Sequence, residues 1–148
     1  MAGPPLPPAM PTWGSHTSKE KFEIFNLDMK VGDTLKVKGK ISGDAEGFSI
    51  NLGSSSSDLA LHFNPRFTET VIVCNSRCGN AWEAEHRDHH FCFSRDSTVK
   101  LVIEFLHDKF KVTLPDDHHV EFPNRHGFDK LKYMNIKGGF RVTSFKLD

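Results

Sequence analysis

Charge of one sign, long apolar runs and pairable cysteines are all scarce in these 148 residues. Lysine and arginine number 19 against 19 aspartates and glutamates, for a formal net charge of +0. A nucleic-acid partner is not expected, because no net positive field would draw in phosphates. Lys36, Lys38 and Lys40 interleave with Leu35, Val37, Gly39 and Ile41 and read as the solvated face of one strand. No stretch is long and apolar enough to cross a bilayer, so membrane insertion is not expected. The start shows neither the charged opening nor the apolar run of a signal peptide. Pro4, Pro5, Pro7, Pro8 and Pro11 instead predict an extended, flexible, Pro-rich tail over residues 1–18, within which Trp13 stands alone as an apolar handle. Cys74, Cys78 and Cys92 are the only three cysteines. They cannot all pair within one chain, and none has metal-ligand spacing. A reducing, cytoplasmic setting is expected, with export that needs no signal peptide left open. No cofactor is called for.

What is present is aromatic and periodic. Thirteen phenylalanines supply large apolar rings for one core, and residues 19–148 are long enough to close a single domain without covalent staples. Short alternating runs succeed one another: 22–27, 34–41, 48–52, 58–64, 71–75, 91–93, 99–106, 109–114, 119–122, 131–136 and 141–147. Val-Gly-Asp33, Ser-Gly-Asp44, Leu-Pro-Asp-Asp117 and Lys-Gly-Gly139 punctuate them with residues that tolerate tight turns. No segment carries a helical apolar stripe. Many short strands at this spacing predict an all-β antiparallel sandwich or barrel.

One of these runs carries chemistry. In Leu59-Ala-Leu-His-Phe-Asn-Pro-Arg-Phe67, period-two alternation sends Leu61 and Phe63 to one face and His62 and Asn64 to the other, with Arg66 in phase. An imidazole, an amide and a guanidinium in a row offer both donors and acceptors, which suits a polyhydroxylated ligand. A cation site would want carboxylates, and a phosphate site more positive charge. Asn75 ends the next alternating run, out of phase with Ile72 and Cys74. Then comes Trp82-Glu-Ala-Glu-His-Arg87, where Glu85 and Arg87 share a face by period two. A Trp beside hydroxyl-binding groups has a sharper meaning than a Trp in a core. Its flat apolar face covers the C–H side of a sugar ring while its neighbours bond the hydroxyls.

His-Phe-Asn-Pro-Arg66, then Val-x-Asn75, then Trp82-x-x-Glu-x-Arg87 resembles the carbohydrate-recognition signature of the galectins, with all seven polar and aromatic positions in order. The resemblance runs from about residue 21 to 148 and takes in Ile-Asn-Leu-Gly53, Phe-Lys-Val112, Phe-Pro-Asn-Arg125 and the final Gly-Gly-Phe-x-Val-x-Ser-Phe-Lys-Leu147. The short segment between Arg66 and Asn75 resembles the single-domain, prototype members of the galectin-two type. The resemblance implies a jelly-roll β-sandwich of two antiparallel sheets with a sugar groove on the concave sheet. It implies non-catalytic binding of β-galactosides, such as lactose and N-acetyllactosamine-type glycans on glycoproteins or glycolipids. His62, Asn64 and Arg66 would bond the axial 4-hydroxyl of galactose, Asn75 and Glu85 would hold the 6-hydroxyl against Trp82, and Arg66, Glu85 and Arg87 would reach the next sugar. It also implies a homodimer through terminal strands, here 22–25 and 140–145, that cross-links glycans.

Other chemistry fits these residues less well. His86, His89, His90, His118 and His119 invite a metal, yet His89 and His90 are adjacent and point to opposite faces of any strand. Glu85 and Asp88 imitate a glycosidase pair. Glu85, however, is expected between Arg87 and Arg66, which would keep it ionised and unfit as a general acid. A lipid-binding barrel lacks its helical lid pattern here. A galectin-fold protein acting mainly through protein contacts is the alternative that the intact signature opposes.

Overall fold

The period-two runs fold into two facing antiparallel sheets. A computed structural model of the chain describes residues 20–148, and the tail expected over residues 1–18, Trp13 included, lies outside them. The seven-stranded sheet contains β1 (Glu20–Ile24), β4 (Phe48–Ser55), β5 (Asp58–Arg66), β6 (Val71–Cys78), β7 (Ala81–Trp82), β8 (His86–Asp88) and β13 (Tyr133–Gly138). Its order is β1-β13-β4-β5-β6-β7, with β8 also on β6. The five-stranded sheet contains β3 (Thr34–Ile41), β9 (Thr98–Phe105), β10 (Lys109–Thr113), β11 (His119–Pro123) and β14 (Phe140–Leu147), in the order β11-β10-β9-β3-β14. A two-stranded ribbon pairs β2 (Met29–Lys30) with β12 (Lys130–Leu131).

Between the sheets the apolar halves of the alternating runs meet. Leu35 and Val37 of β3, Ile50 and Leu52 of β4, Leu61 and Phe63 of β5, and Leu101, Ile103 and Phe105 of β9 are among the buried residues of one core. Phenylalanines stitch the layers together: Phe48 of β4 stacks on Phe140 of β14 at 4.8 Å between ring centroids, and Phe22 of β1 meets Phe145 of β14 at 5.5 Å. Side-to-side ring pairs of this kind add to burial about 0.5–1.5 kcal/mol each. β1 and β14, both expected as terminal strands, are the outer strands of their sheets on the same side. Residues 91–93, expected as a strand, instead lie in the link between β8 and β9, where Phe93 alone of the three is fully buried.

Irregularities in the pairing decide what faces outward. Register slips between β4 and β5 around Gly53, and between β5 and β6 from Leu59 to His62. Gly53 is required there because a Cβ would collide with the Asp58 carbonyl. Ala60, which simple period-two counting would place with His62, is consequently core, and clean alternation begins only at Leu61. A bulge of this kind reorients the side chains that follow it.

Candidate functional site

β5 presents His62, Asn64 and Arg66 half-exposed on the outer face of the seven-stranded sheet, with Leu61, Phe63 and Pro65 buried between them. Asn64 is fixed first: its Nδ2 donates to the Phe48 carbonyl at 2.8 Å. Its Oδ1 then accepts from Arg66 Nε at 2.9 Å, so the amide aims the guanidinium. Arg66 Nη1 donates onward to Glu69 Oε2 at 3.2 Å. The other oxygen of Glu69 accepts from Arg87 Nη1 at 3.0 Å, and Arg87 Nε donates to Glu85 Oε1 at 3.0 Å. Asn64 thus leads into one continuous row of alternating charge, Arg66, Glu69, Arg87 and Glu85. The carboxyl of Glu69 is held below the ordinary carboxylate range by Arg87 and then Arg66.

This row corrects one expectation. Arg66 was expected beside Glu85, but its partner is Glu69, and Glu85 pairs with Arg87. Sequence reasoning passed over Glu69. It stands in the β5–β6 turn, next to Thr70, whose φ of 48° is unusual for a β-branched residue and marks a tightly specified turn. Two arginines facing a single glutamate in the motif were the available signal that another carboxylate was needed.

Trp82 is placed by a two-residue hairpin turn. Gly79 and Asn80, with φ of 55° and 68°, both adopt the left-handed region that the tight turn between β6 and β7 requires. The turn is docked on the β4–β5 turn, Gly79 N–H donating to Asp58 Oδ1 at 2.8 Å and Asn80 N–H to the Ser57 carbonyl at 3.0 Å. This sets Trp82 opposite Arg77, whose guanidinium lies 4.8 Å from the indole centroid. The indole is 48% exposed, a large apolar surface left toward solvent. A groove of about 300 Å³ runs beside it, lined by Ser49, Asn51, His62, Asn135 and Lys137 on one side and Arg77 with Trp82 on the other.

Asn75 takes a different position from its companions. It is only 4% exposed. Its Nδ2 donates to the Glu83 carbonyl at 3.1 Å, and its Oδ1 accepts from the Ser76 N–H at 2.7 Å. It therefore holds the loop that joins Trp82 to Glu85. Arg125 pins the same loop from the β11–β12 connection. It donates to Ser76 Oγ at 3.0 Å and to the Ala84 carbonyl at 2.7 Å while stacking on Phe122. His126 reaches Glu83 at 2.9 Å, and the Glu83 carboxyl is held low by Ser76 and His126. Asn51, given no role within Ile-Asn-Leu-Gly53, has one here: its Oδ1 lies 2.6 Å from His62 Nδ1. Burial, then Arg66, Lys137 and Arg77, push the His62 imidazole down to about 4, so it is neutral at pH 7.

The histidines further along form a separate group. His90 and His118 stack at 3.8 Å, His90 bonded to Asp116 at 2.5 Å and His118 to Asp88 at 3.2 Å. For Asp88, burial alone would raise the carboxyl, but the His90 N–H and His118 outweigh it and hold it low. That environment ties the link after β8 to the β10–β11 turn and is the opposite of what a general acid needs.

An exposed indole stands beside preorganised donors and acceptors on one sheet of a β-sandwich, and the class of protein to which this architecture points is a lectin. Residues 21–147 match the family model described as galactoside-binding lectin. Galectin-2 of Sus scrofa is 57% identical over 120 residues, which is 81% of this chain and 98% of that protein. Among solved structures, chicken galectin 2 superposes with a TM-score of 0.85 at 67% identity, covering 86% of this chain and 98% of the other. CG-16, a homodimeric agglutinin from chicken liver, superposes with a TM-score of 0.83 at 40% identity over 87% and 100% of the two chains. The chain belongs to the galectins, the galactoside-binding lectin family.

Proposed function

We propose that the protein binds β-galactosides at the face of β5, β6 and β8 and performs no chemistry on them. The observation that carries this reading is the row from Asn64 through Arg66, Glu69 and Arg87 to Glu85, beside exposed Trp82. Donors fixed by carboxylates lose little side-chain entropy when a ligand arrives. Arg66 and His62 would serve the axial 4-hydroxyl of galactose, and Trp82 the apolar face of the ring. A glucose ring, whose 4-hydroxyl is equatorial, would leave these groups unpaired in a partly dehydrated groove, at a cost of about 1–3 kcal/mol. Glu85 and Arg87 would meet the following sugar. Asn75 would act chiefly through the loop it holds, with its remaining amide hydrogen toward the 6-hydroxyl.

A shallow site of this kind binds one disaccharide weakly, so cross-linking calls for two sites per particle. The outer strands β1 and β14 lie side by side as uncovered edges within the described residues, and the similar CG-16 is homodimeric. We read a two-fold dimer through these edges, a common solution to an exposed sheet margin. Residues 19–148 form the recognition domain in this reading, preceded by a Pro-rich extension. Free Cys74, Cys78 and Cys92 suit a reducing compartment such as the cytoplasm.

Calorimetry with lactose and with cellobiose tests the proposal. Heat with lactose and none with cellobiose is expected. A protein that works only through protein contacts would bind neither and would pass through a lactose column unretained.

A further inference from the structure

From His62 a line of polar side chains runs across the sheet beneath the groove, Asn51 and Asn135 forming part of its floor. Glu23 of β1 stands directly across from Asn135 of β13, Asn135 across from Asn51 of β4, and Asn51 across from His62 of β5. Four adjacent strands therefore contribute one residue each to a row at right angles to the chain. Tyr133, two residues from Asn135 on the same strand, completes it. Asn51, Asn135 and Tyr133 are each only 3% exposed, so their polar groups depend on one another and not on water.

The direction of every hydrogen bond in the row follows from its far end. An ionised carboxylate accepts only, so the Tyr133 hydroxyl gives its proton to Glu23. That oxygen must then accept from Asn135 Nδ2, at 2.8 Å. With its amide so oriented, Asn135 presents Oδ1 to Asn51 Nδ2, at 2.7 Å. Asn51 in turn presents Oδ1 to His62 Nδ1, at 2.6 Å. An oxygen there requires a proton on Nδ1, and a neutral imidazole has one proton to place. His62 Nε2 is left as a bare acceptor.

We propose that Glu23 is a positioning residue that, through Tyr133, Asn135 and Asn51, fixes the tautomer of His62 and so lets Nε2 accept the proton of a galactose 4-hydroxyl. This rests on the galactoside reading above. Arg66 has only donors to offer that hydroxyl, so its proton needs an acceptor, and the row supplies one. In the other tautomer two donors would face the hydroxyl and its proton would go unpaired. The surroundings agree. The Tyr133 hydroxyl, ahead of Lys21, holds the Glu23 carboxyl below its ordinary range. Burial, then Glu23, holds the Tyr133 proton more tightly than usual. Lys21 lies 3.5 Å from Glu23 on the same strand and favours the same charge.

The tautomer is read directly from the ¹⁵N shifts of the imidazole nitrogens in the sugar-free protein, with His62 identified by the loss of its signals in His62→Gln. The native protein is expected to show Nδ1 protonated and Nε2 bare. Tyr133→Phe removes the oxygen that joins Asn135 to Glu23, and Glu23→Gln replaces the obligate acceptor with an amide that faces either way. Each keeps the packing, which a thermal melt checks. A mixed tautomer at His62 in either variant is expected, with lactose affinity lower by about threefold to tenfold, the worth of one neutral hydrogen bond. A protonated Nε2 in the native protein, an unchanged tautomer in both variants, or unchanged affinity where the tautomer has become mixed would each overturn the proposal. If native protein bound no lactose at all, the galactoside reading would fall, while the ring signals would still decide whether Glu23 sets the tautomer.

Discussion

Arg66 and Glu69 are three residues apart, one ending β5 and the other in the turn beyond it, and their charged groups meet at 3.2 Å. Through this contact the strand that opens the recognition motif is connected to the strand that closes it, because Glu69 also holds Arg87 at 3.0 Å. Glu69 is therefore expected to matter to sugar binding without being a sugar ligand. Glu69→Ala should weaken lactose on the order of fivefold, a modest loss because exposed ion pairs are individually weak. In double-mutant cycles by calorimetry, Arg66→Ala should couple with Glu69→Ala more strongly than with Glu85→Ala. Equal coupling in the two cycles would mean that Glu69 is not the bridge.

Trp82→Ala tests whether the indole is a platform or a structural ring. Nearly half of it faces solvent and its contacts are to Arg77 and His62, not to the core. The melting temperature should therefore change little, while lactose binding loses about 2 kcal/mol or more. The His62 and Trp82 rings stand 4.5 Å apart, which leaves no room for a sugar ring between them. Lactose is thus expected to shift the Trp82 emission as the indole moves aside. A melt that collapses in Trp82→Ala would show that the ring is holding the fold.

Much of this site was legible because strands write their faces at period two. His62, Asn64 and Arg66 declare themselves in that way, and their buried neighbours confirm the phase. Partners drawn from elsewhere leave no such trace. Asn51 and Asn135 are 84 residues apart in the chain and meet only because β4 and β13 are neighbours in the sheet. Bulges also defeat a simple count: Ala60 shares parity with His62 yet is buried, because the register slips between them and β6. Glu69 and Arg125 lie in connections, where no periodicity constrains a side chain, so their roles appear only once the loops are folded.

The pH response follows from His62. Its folded pKa of about 4 lies below the ordinary 6.5, so between those values the unfolded chain binds the extra proton. The contribution of neutral His62 to stability is complete above about pH 6.5 and is lost as pH falls toward about 4. Asp58, held low by the Gly79 N–H, and Glu69, held low by Arg87, act with the same sign in the carboxylate range. Stability should decline already below about pH 6.5. Lactose affinity follows the folded imidazole, so it should stay level from about pH 8 to about pH 5 and fall only as pH approaches about 4. A calorimetric titration whose affinity midpoint lies near 6.5 would mean that His62 is not shielded.

Thiol reactivity separates the cysteines by environment. Cys78 is exposed at the end of β6, four residues before Trp82, whereas Cys74 is buried and its thiol is pushed up to about 12, by burial and then Asp88. Cys92 is half-buried and its thiol is also raised, chiefly by burial. Alkylation of native protein near pH 8 should label Cys78 first and leave Cys74 unmodified until the chain unfolds. Peptide mapping after timed quenching reads the order. Early label on Cys74 would show that β6 opens far more readily than its pairing on both sides implies.

Assembly is tested at the margin of β14. Pairing of β14 with β3 skips a residue between Val142 and Ser144, which leaves Thr143 as an unpaired bulge on an outer strand. An edge bulge is one of the few places where a sheet tolerates proline, so Thr143→Pro should fold. It should also obstruct a second copy from adding its strand to that edge, by removing a donor and inserting a ring. The charged row carried by β5 and β8 belongs to the other sheet, so one lactose should bind with unchanged affinity. Agglutination of galactose-bearing particles requires two sites that act together and should be lost. Sedimentation across a concentration series should show a dimer for native protein and a monomer for Thr143→Pro. If the variant remained a dimer and still agglutinated, the partner copy would have to sit elsewhere. The β1 margin, where Phe25 is 68% exposed over Tyr133, would be the next surface to alter.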